Sequence, residues 1–338
     1  MGRILVRKTK KKKRLRRILF IVILMFLVLV GFGGYVAIQT LQAASESYND
    51  LGREKSDLRD EVVSISNDPV SILLMGVEDY STNGDNGRTD TLMVATFNPD
   101  DERLKLLSIP RDTLVEIVGK EYQDKITHAH AFGGKKMTID TVENFLDIPI
   151  DYYATVNFDA FKNVIDIFGG VTVDVPFDFE QNSDDRKAEK LQFYEGEMDL
   201  DGRYALAYAR MRYQDPRGDI GRNERQQQVI EALIGKALSV GTITKIDDLA
   251  KEVGNNVETN MRISEVLAFA KQYSNFSTSK IDKLKLETYE ERINGGSYQI
   301  ADEASLDEVR AALKDHLEIV STNNNDRLYE ASAYKDNN

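Results

Sequence analysis

The sequence predicts an α/β domain that follows a single N-terminal membrane-spanning helix. Residues 150–156, 159–168 and 171–175 have the patterns of a strand, a helix and a strand, and this order is typical of α/β layering. Residues 18–38 form an uncharged apolar run of 21 residues, about the length of a helix that crosses a bilayer. These observations divide the chain into an anchor and a folded part.

The charge of the 338-residue chain is distributed unevenly. Although the net charge is −12, the first 17 residues hold ten Lys or Arg side chains and no acidic residue. By the positive-inside rule this basic tip, residues 1–17, lies in the cytoplasm, and the chain beyond the apolar run lies outside the cell membrane. A cleavable signal peptide is the alternative, but the run is too long for one and residues 42–45 offer only a weak cleavage site. Because the outer part is acidic, nucleic acid is excluded as a partner.

A stalk, one domain and a tail are predicted outside the membrane. Residues 39–69 alternate charges and lead to a proline, which favours a solvated stalk. The folded domain is predicted at residues 70–320, and the polar residues 321–338 are predicted to be a disordered tail. Cysteine is absent, which excludes disulfides and thiol nucleophiles, and three histidines are too few to favour a zinc site built on imidazoles.

Two strand patterns early in the domain are joined by Asn-Pro-Asp-Asp-Glu at residues 98–102, which favours a hairpin. If Phe97 stands opposite Leu104 in an antiparallel pair, Asp90 stands opposite Arg111. Carboxylates and guanidinium groups at one sheet edge are able to hold a divalent cation and a phosphate together. An ion pair across the two strands is the alternative. The charged residues of this edge are Arg88, Asp90, Arg111 and Asp112.

Residues 205–230 concentrate arginine in an otherwise acidic chain. The planar guanidinium fork suits phosphate oxygens, so this concentration indicates an anion-binding site. The charged residues concerned include Arg210, Arg212, Asp215, Arg217, Asp219, Arg222 and Arg225.

The second half of this stretch has a helical pattern whose apolar residues share one side. When the same helical phase is extended toward the N-terminus, it places Gln226, Arg222 and Asp219 on the inward side, at the first turns of the helix. Polar groups on the inward side indicate a pocket, and a helix N-terminus favours anions. The alternatives are a solvated charged turn, and an inward arginine paired with a nearby carboxylate. Arg217 and Arg225 are interpreted as bystanders, with Arg225 in the solvated part of the turn.

Six motifs span most of the outer part: LLMGVED at 73–79, GRTDTLMVATFNP at 87–99, LLSIPRDT at 106–113, KITHAHAFGG at 125–134, YYATVNFDAFKNVIDIFGGVTVDVP at 152–176 and LDGRYALAYARMRYQDPRGDIGRNERQQQVI at 200–230. Together with the single anchor, they resemble the LytR-CpsA-Psr family of cell-wall glycopolymer ligases. The resemblance covers about residues 70–318. It implies a central mixed β-sheet flanked by helices, with an apolar groove for a polyprenyl tail.

Members of that family move an anionic polysaccharide, such as wall teichoic acid or capsule, from an undecaprenyl-pyrophosphate carrier to a peptidoglycan hydroxyl. The resemblance therefore implies a membrane-anchored phosphotransferase whose cofactor is Mg²⁺, or Mn²⁺ in its place. The implied partners are the undecaprenyl-pyrophosphate-linked glycopolymer, peptidoglycan and the membrane. A pyrophosphatase acting on the same lipid and a non-enzymatic polyprenyl-phosphate-binding regulator of envelope biogenesis are the alternatives.

The resemblance also implies roles for individual side chains. Asp90 corresponds to a metal ligand. Where many members have Asp after Gly-Val, this chain has Glu78 and then Asp79, and either carboxylate is able to support the metal. The implied pyrophosphate-binding residues are Arg88, Arg111, Lys125, Arg210, Arg212, Arg222 and Gln226.

The chemistry requires catalytic groups beside these binding groups. Attack by a sugar hydroxyl on the phosphate needs charge neutralised on the departing polyprenyl phosphate, which arginines and Mg²⁺ supply. A carboxylate near the hydroxyl acts as the base, and Asp90, Asp112 and Asp219 are all candidates. The predicted catalytic set is Asp90, Arg111, Asp219 and Arg222.

Overall fold

The computed structural model describes residues 48–65, 67–77, 87–183, 189–237, 257–272 and 276–319. The predicted basic tip, membrane helix and tail, together with Glu78 and Asp79, lie outside these residues. Within the described ranges, no helix is long and apolar enough to span a bilayer.

Helices and strands are interleaved along the described chain. The helices are α1 (His128–Leu146), α2 (Phe158–Ile167), α3 (Gly202–Arg210), α4 (Asp219–Ala237), α5 (Ile263–Gln272) and α6 (Glu303–His316). The strands are β1 (Val70–Val77), β2 (Thr89–Asn98), β3 (Arg103–Ser108), β4 (Leu114–Glu116), β5 (Gln123–Lys125), β6 (Tyr152–Val156), β7 (Val171–Val175), β8 (Phe179–Asn182), β9 (Lys190–Phe193), β10 (Gly196–Leu200), β11 (Val257–Thr259), β12 (Ile281–Leu284), β13 (Thr288–Ile293) and β14 (Gly296–Ala301).

A six-stranded sheet forms the centre of the fold, in the order β11-β6-β1-β2-β3-β12. β1 pairs antiparallel with β2 and parallel with β6, while β3 pairs antiparallel with β2 and parallel with β12. The register predicted for the first hairpin is confirmed, because Phe97 stands opposite Leu104. Mixed strand directions and the flanking helices confirm the predicted α/β fold.

Both faces of the central sheet are covered, which explains why β1 and β2 are nearly continuous buried runs rather than alternating ones. On one face, Leu73 and Val94 share a core with α1 and α6. On the other face, Met93 and Ala95 share a core with Ile230 of α4. Helix α4, which carries the second half of the arginine stretch, therefore lies over the sheet.

A second layer of two strand pairs packs with α3 beside the central sheet. β7 pairs with β10, and β8 pairs with β9. β8 and β9 form although their segment of the chain is largely polar. The physical reason is that Phe179 stacks on Phe193 with ring centroids 4.5 Å apart, and Tyr208 of α3 packs against both rings. This aromatic core fixes the position of α3.

Residues 48–65, in the predicted stalk, contact the domain directly. Arg59 pairs with the nearly buried Asp151 at 2.7 Å, and Arg53 pairs with Glu143 at 2.8 Å. Each arginine uses two nitrogens on its carboxylate, the geometry of a strong guanidinium contact. The boundaries predicted for stalk, domain and tail stay predictions.

Candidate active site

A groove of about 500 Å³ lies between the central sheet and helices α2, α3 and α4. Its floor comes from β1 and β2, and its walls come from the three helices. Most of the lining is apolar and includes Leu74, Met93, Phe158, Phe161, Leu206 and Ile230. A long hydrocarbon chain suits such a lining, because it buries apolar surface on every side.

The polar lining of the groove is gathered at one end. Along α4 the lining changes from Arg222 and Gln226 in the first turns to Ile230, Ile234 and Ala237 further on. The helical phase therefore placed Arg222, Gln226 and the apolar residues of this helix side correctly, but Asp219, which was also predicted to face inward, is not part of the groove lining. The charged and amide residues at this end are Asp90, Arg111, Arg210, Arg212, Arg222 and Gln226.

Asp90 reaches the groove from an irregular point in β2. The pairing with β1 steps from Thr91 to Thr89, which leaves Asp90 as an extra residue. Such a bulge re-aims a side chain. Nη1 of Arg111 donates to Oδ1 of Asp90 at 2.5 Å, so the ion pair across the strands forms and lines the groove. Burial acts to lower the pKa of Arg111, but the paired Asp90 raises it above its ordinary value.

Arg222 is held in the first turn of α4 with 7 % of its surface exposed. Its Nη2 lies 3.3 Å from Oδ2 of Asp219, while Nε of Arg212 lies 2.5 Å from Oδ1. Nε of Arg222 has no hydrogen-bond partner among the described residues. Burial lowers the pKa of Arg222, and the nearby charges of Arg111 and Arg212 add to this effect. A bound anion would relieve this accumulation of positive charge.

The end of α3 supplies one more polar group, Arg210, and lies against Gln226 of α4. Asp201 caps the start of this helix, because its side chain accepts from the backbone N–H of Tyr204 at 2.8 Å. At the other end, the guanidinium of Arg210 lies 4.9 Å from the ring centroid of Phe158. Nε2 of Gln226 donates to the carbonyl of Ala209 at 3.3 Å, which ties α4 to α3 beside the polar end.

Two predicted pyrophosphate-binding residues are not brought to the groove lining. Lys125 pairs instead with Asp112 at 2.8 Å, on the far side of Arg111, and its Nζ lies 5.3 Å from the ring of Tyr298. Arg88 is exposed just before β2, ahead of the bulge at Asp90. The motifs alone did not show that these two residues lie outside the groove lining. The direction in which each side chain points depends on the bulge in β2 and on β5.

Arg225 departs most from its interpretation as part of a solvated turn, since it is only 1 % exposed. Nη1 donates to Asp215 and Nη2 donates to the carbonyl of Met211. Arg217 fits its prediction better, because 46 % of its side chain is exposed and it pairs with Glu224. Helical phase missed Arg225 because α4 is covered on two sides, by the groove and by the aromatic core of the second layer.

The groove offers a hard-cation ligand in Asp90. Arg111 occupies one of its oxygens, and Mg²⁺ is commonly held by one or two carboxylates together with substrate phosphates. No cluster of three or more acidic, His or Cys side chains suited to a metal occurs in the part of the chain that the structure describes. Glu78 and Asp79 lie outside it. The donor set therefore fits a cation that arrives with a phosphorylated ligand.

Several lining residues were not singled out from the sequence. Phe158 and Phe161 come from α2, whose first turn is capped by Asn157 accepting from the backbone N–H of Ala160 at 2.8 Å. Tyr213, which is almost fully exposed, stands at the rim next to Arg212. The amphipathic pattern of α2 was a signal for burial, but it does not distinguish a groove wall from a closed core.

Comparison with known proteins connects this geometry to characterised relatives. The LytR_cpsA_psr family model matches residues 34–315. The chain is 49 % identical over 312 residues to the polyisoprenyl-teichoic acid–peptidoglycan teichoic acid transferase TagV of Bacillus subtilis, covering 91 % of this chain and 80 % of TagV. It is 41 % identical over 319 residues to TagU of the same organism, a transferase of the same description, covering 92 % and 99 % of the two chains.

Solved structures agree with the observed fold. The crystal structure of B. subtilis TagV has a TM-score of 0.67 and 48 % identity, covering 75 % of this chain and 98 % of TagV. The LytR-CPS2A-psr family protein YwtF (TagT), with bound octaprenyl pyrophosphate lipid, has a TM-score of 0.63 and 30 % identity, covering 80 % and 98 %.

Proposed function

Because this chain belongs to the LytR-CpsA-Psr family, we propose that it is a phosphotransferase that moves a teichoic acid or similar anionic glycopolymer from an undecaprenyl-pyrophosphate carrier to peptidoglycan. The observation that carries the proposal is an apolar groove whose one end holds Arg111, Arg212 and Arg222. A polyprenyl pyrophosphate has the matching arrangement, with an apolar chain attached to a compact group of negative charges. The relatives named TagU and TagV carry the same activity in their descriptions.

The arginines bind and stabilise the pyrophosphate. Arg222 and Arg111 lie at the polar end of the groove, so they contact the phosphates when the tail lies along α4. As the acceptor hydroxyl attacks the sugar-linked phosphorus, the bond from that phosphorus to the bridging oxygen breaks. Negative charge then grows on the departing polyprenyl phosphate, and fixed guanidinium groups stabilise it without reorganisation.

The acceptor hydroxyl must lose its proton during attack, and a carboxylate beside the phosphates takes it. Asp112 is less favoured as this carboxylate, because it pairs with Lys125 and does not line the groove. Asp90 lines the groove, and each oxygen of Asp219 lies close to an arginine. Asp90 is the favoured base, since Arg111 contacts one of its oxygens and leaves the other, which serves either as the base or as a cation ligand and not as both at once.

Mg²⁺ is proposed as the cofactor, with Mn²⁺ as a substitute. Asp90 would hold the ion together with phosphate oxygens of the substrate, and the ion supplies further neutralisation of the leaving group. The chain is also proposed to be anchored by residues 18–38, with the groove outside the cell membrane. Alkaline extraction and protease protection of the tagged full-length protein test this placement.

A transfer assay tests the proposed function. Purified full-length protein in detergent receives lipid-linked donor with and without peptidoglycan, and both attached polymer and free polymer are measured. We expect attachment only when peptidoglycan is present, and loss of attachment in Arg111→Gln. Release of free polymer at the same rate without acceptor would instead indicate a pyrophosphatase. Lipid binding without either product would indicate a binding regulator.

A further inference from the structure

The largest fully buried side chain of the described residues is a charged one, that of Arg225. It lies on α4 one turn after Arg222, and its partner Asp215 has a completely buried side chain. Neither residue lines the groove. The proposed binding site alone therefore does not explain why a charge pair is kept inside the domain.

Arg225 connects α4 to two points of the preceding loop, Met211 and Asp215. Its Nη1 donates to Oδ2 of Asp215 at 2.5 Å, and its Nη2 donates to the carbonyl of Met211 at 2.6 Å. The guanidinium lies 6.0 Å from the ring centroids of both Phe179 and Tyr208. Arg225 is thus fixed by the second layer of the domain, and it in turn holds the loop.

Asp215 organises the loop that it shares with Arg212. Its Oδ1 accepts from the backbone N–H of Arg217 at 2.8 Å, and its own N–H donates to the carbonyl of Arg212 at 3.3 Å. A Cβ atom at Gly221 would overlap the Asp215 carboxylate, so the first turn of α4 packs directly on this group. Burial alone would raise the pKa of Asp215, but the hydrogen bond from Arg225 lowers it below its ordinary value.

A buried ion pair is seldom the most stable way to fill a core, because both ions lose their hydration. A buried ion pair is better explained where it fixes a geometry that the protein needs. Here the pair fixes the chain on both sides of Arg212, which follows Met211 directly, and sets the orientation of the helix turn that presents Arg222. Both of these side chains line the groove.

We propose that the Arg225–Asp215 pair is a positioning element for recognition of the pyrophosphate, which acts by fixing Arg212 and the first turns of α4. This inference rests on the function proposed for the groove. Arg225 does not contact the substrate. Instead, Arg225 determines whether the guanidinium groups that contact the substrate converge on one anion.

The test is a double-mutant cycle on the full-length protein in detergent. Arg225→Lys keeps the charge but reaches only one of the two acceptors, and Asp215→Asn keeps the shape of the side chain. Arg217→Met is the matched control, since Arg217 contacts the same carboxylate from the solvent side. The affinity for polyprenyl pyrophosphate and the melting temperature are measured for each variant, alone and combined with Arg212→Gln.

We expect Arg225→Lys to weaken binding about tenfold, the scale of one lost charge-assisted hydrogen bond, and the control to bind within about twofold of wild type. With Arg212→Gln already present, Arg225→Lys should weaken binding clearly less than in the wild-type background, because only its effect through Arg222 remains. Equal losses in both backgrounds, or unchanged binding in Arg225→Lys, would overturn the proposal.

The outcomes for folding and for the proposed function are separable. If Arg225→Lys melts below the assay temperature, Asp215→Asn carries the same cycle, with the same expected result. If Arg212→Gln itself binds polyprenyl pyrophosphate as tightly as wild type, the proposed function of the groove fails, and the positioning role fails with it. If Arg212→Gln loses affinity while the Arg225 and Asp215 variants bind as tightly as wild type, the positioning role fails and the proposed function of the groove stands.

Discussion

Arg222 occupies a position where its positive charge is poorly compensated in the absence of a ligand. It is nearly buried, Arg111 and Arg212 are close, and among the described residues Asp219 is the one carboxylate that pairs with it. Binding sites often carry such strain, since interactions arranged for a ligand are unfavourable without it. The arrangement links affinity for an anion to instability of the free protein.

Arg222→Met should therefore separate stability from binding. Removing the charge relieves the repulsion while the methionine fills the space, so we expect the melting temperature of the free protein to rise by about 2–4 °C, the shift for about 1 kcal/mol in a domain of this size. Affinity for polyprenyl pyrophosphate should fall by tenfold or more. Differential scanning fluorimetry and a lipid-binding assay measure both effects, and a lowered melting temperature would contradict the electrostatic explanation.

Asp90→Asn tests the catalytic carboxylate with little change in shape. The variant keeps a polar partner for Arg111 but loses the negative charge needed for proton transfer or for a cation. We expect transfer to fall about a hundredfold or more, the usual contribution of a general base, while lipid binding stays within about threefold. Asp112→Asn serves as the comparison, and wild-type transfer by Asp90→Asn would remove this residue from the mechanism.

At the scale of elements, α6 is attached to β2 through a buried histidine. Nδ1 of His316 lies 2.7 Å from Oγ1 of Thr96, and the carbonyl of His316 accepts from Nδ2 of Asn98 at 3.0 Å. Burial lowers the pKa of His316 below its ordinary value, although Asp101 at 3.6 Å opposes this effect. The folded protein therefore favours the neutral imidazole.

This attachment should make stability depend on pH in a defined window. Above about pH 6.5 the histidine is neutral in both the folded and the unfolded chain, so its protonation does not lower the free energy of unfolding. As the pH falls below 6.5 the unfolded chain binds a proton that the folded chain does not, and the free energy of unfolding decreases until the lower folded pKa is reached. Chemical unfolding at pH 7.5 and 5.5 should show a smaller decrease in His316→Gln than in wild type. An identical decrease in both would exclude His316 as the cause.

How far the sequence predicts the elements is clearest on α4. One apolar side was visible in the pattern, and it led correctly to Arg222 and Gln226 in the groove lining. The burial of Arg225 was not visible, because it depends on β8 and β9, two short strands whose polar composition hides their aromatic core. Asp90 and Arg111 were paired correctly because strand register is a local property, while the bulge beside them was not predictable from periodicity.

On the scale of the whole molecule, the chain between the predicted anchor and the first strand is part of the folded unit from residue 48 onward. Arg53 and Arg59 pair with Glu143 and Asp151, whose side chains are only 10 % and 4 % exposed. Removing one partner of a buried ion pair is strongly destabilising, since the other charge remains without compensation.

Truncation of the chain tests this assignment. A protein that begins at residue 48 should melt close to the full-length domain, whereas one that begins at residue 67 should lose about 3 kcal/mol or more, or about 6 °C. Arg59→Ala in the longer version should give part of this loss, because only one of the two pairs is removed. Equal melting temperatures for the two truncated chains would show that residues 48–65 contribute nothing to the fold.

One groove is proposed to receive a polyprenyl tail along α4 and a pyrophosphate at its arginine end. The most direct test of this binding mode is a crystal structure of the outer part, from residue 48, grown with a polyprenyl pyrophosphate. We predict density for the two phosphates within hydrogen-bonding distance of Arg111 and Arg222, and for the tail between Phe161 and Ile230. Phosphates bound elsewhere, or a groove that stays empty at a saturating lipid concentration, would contradict the account.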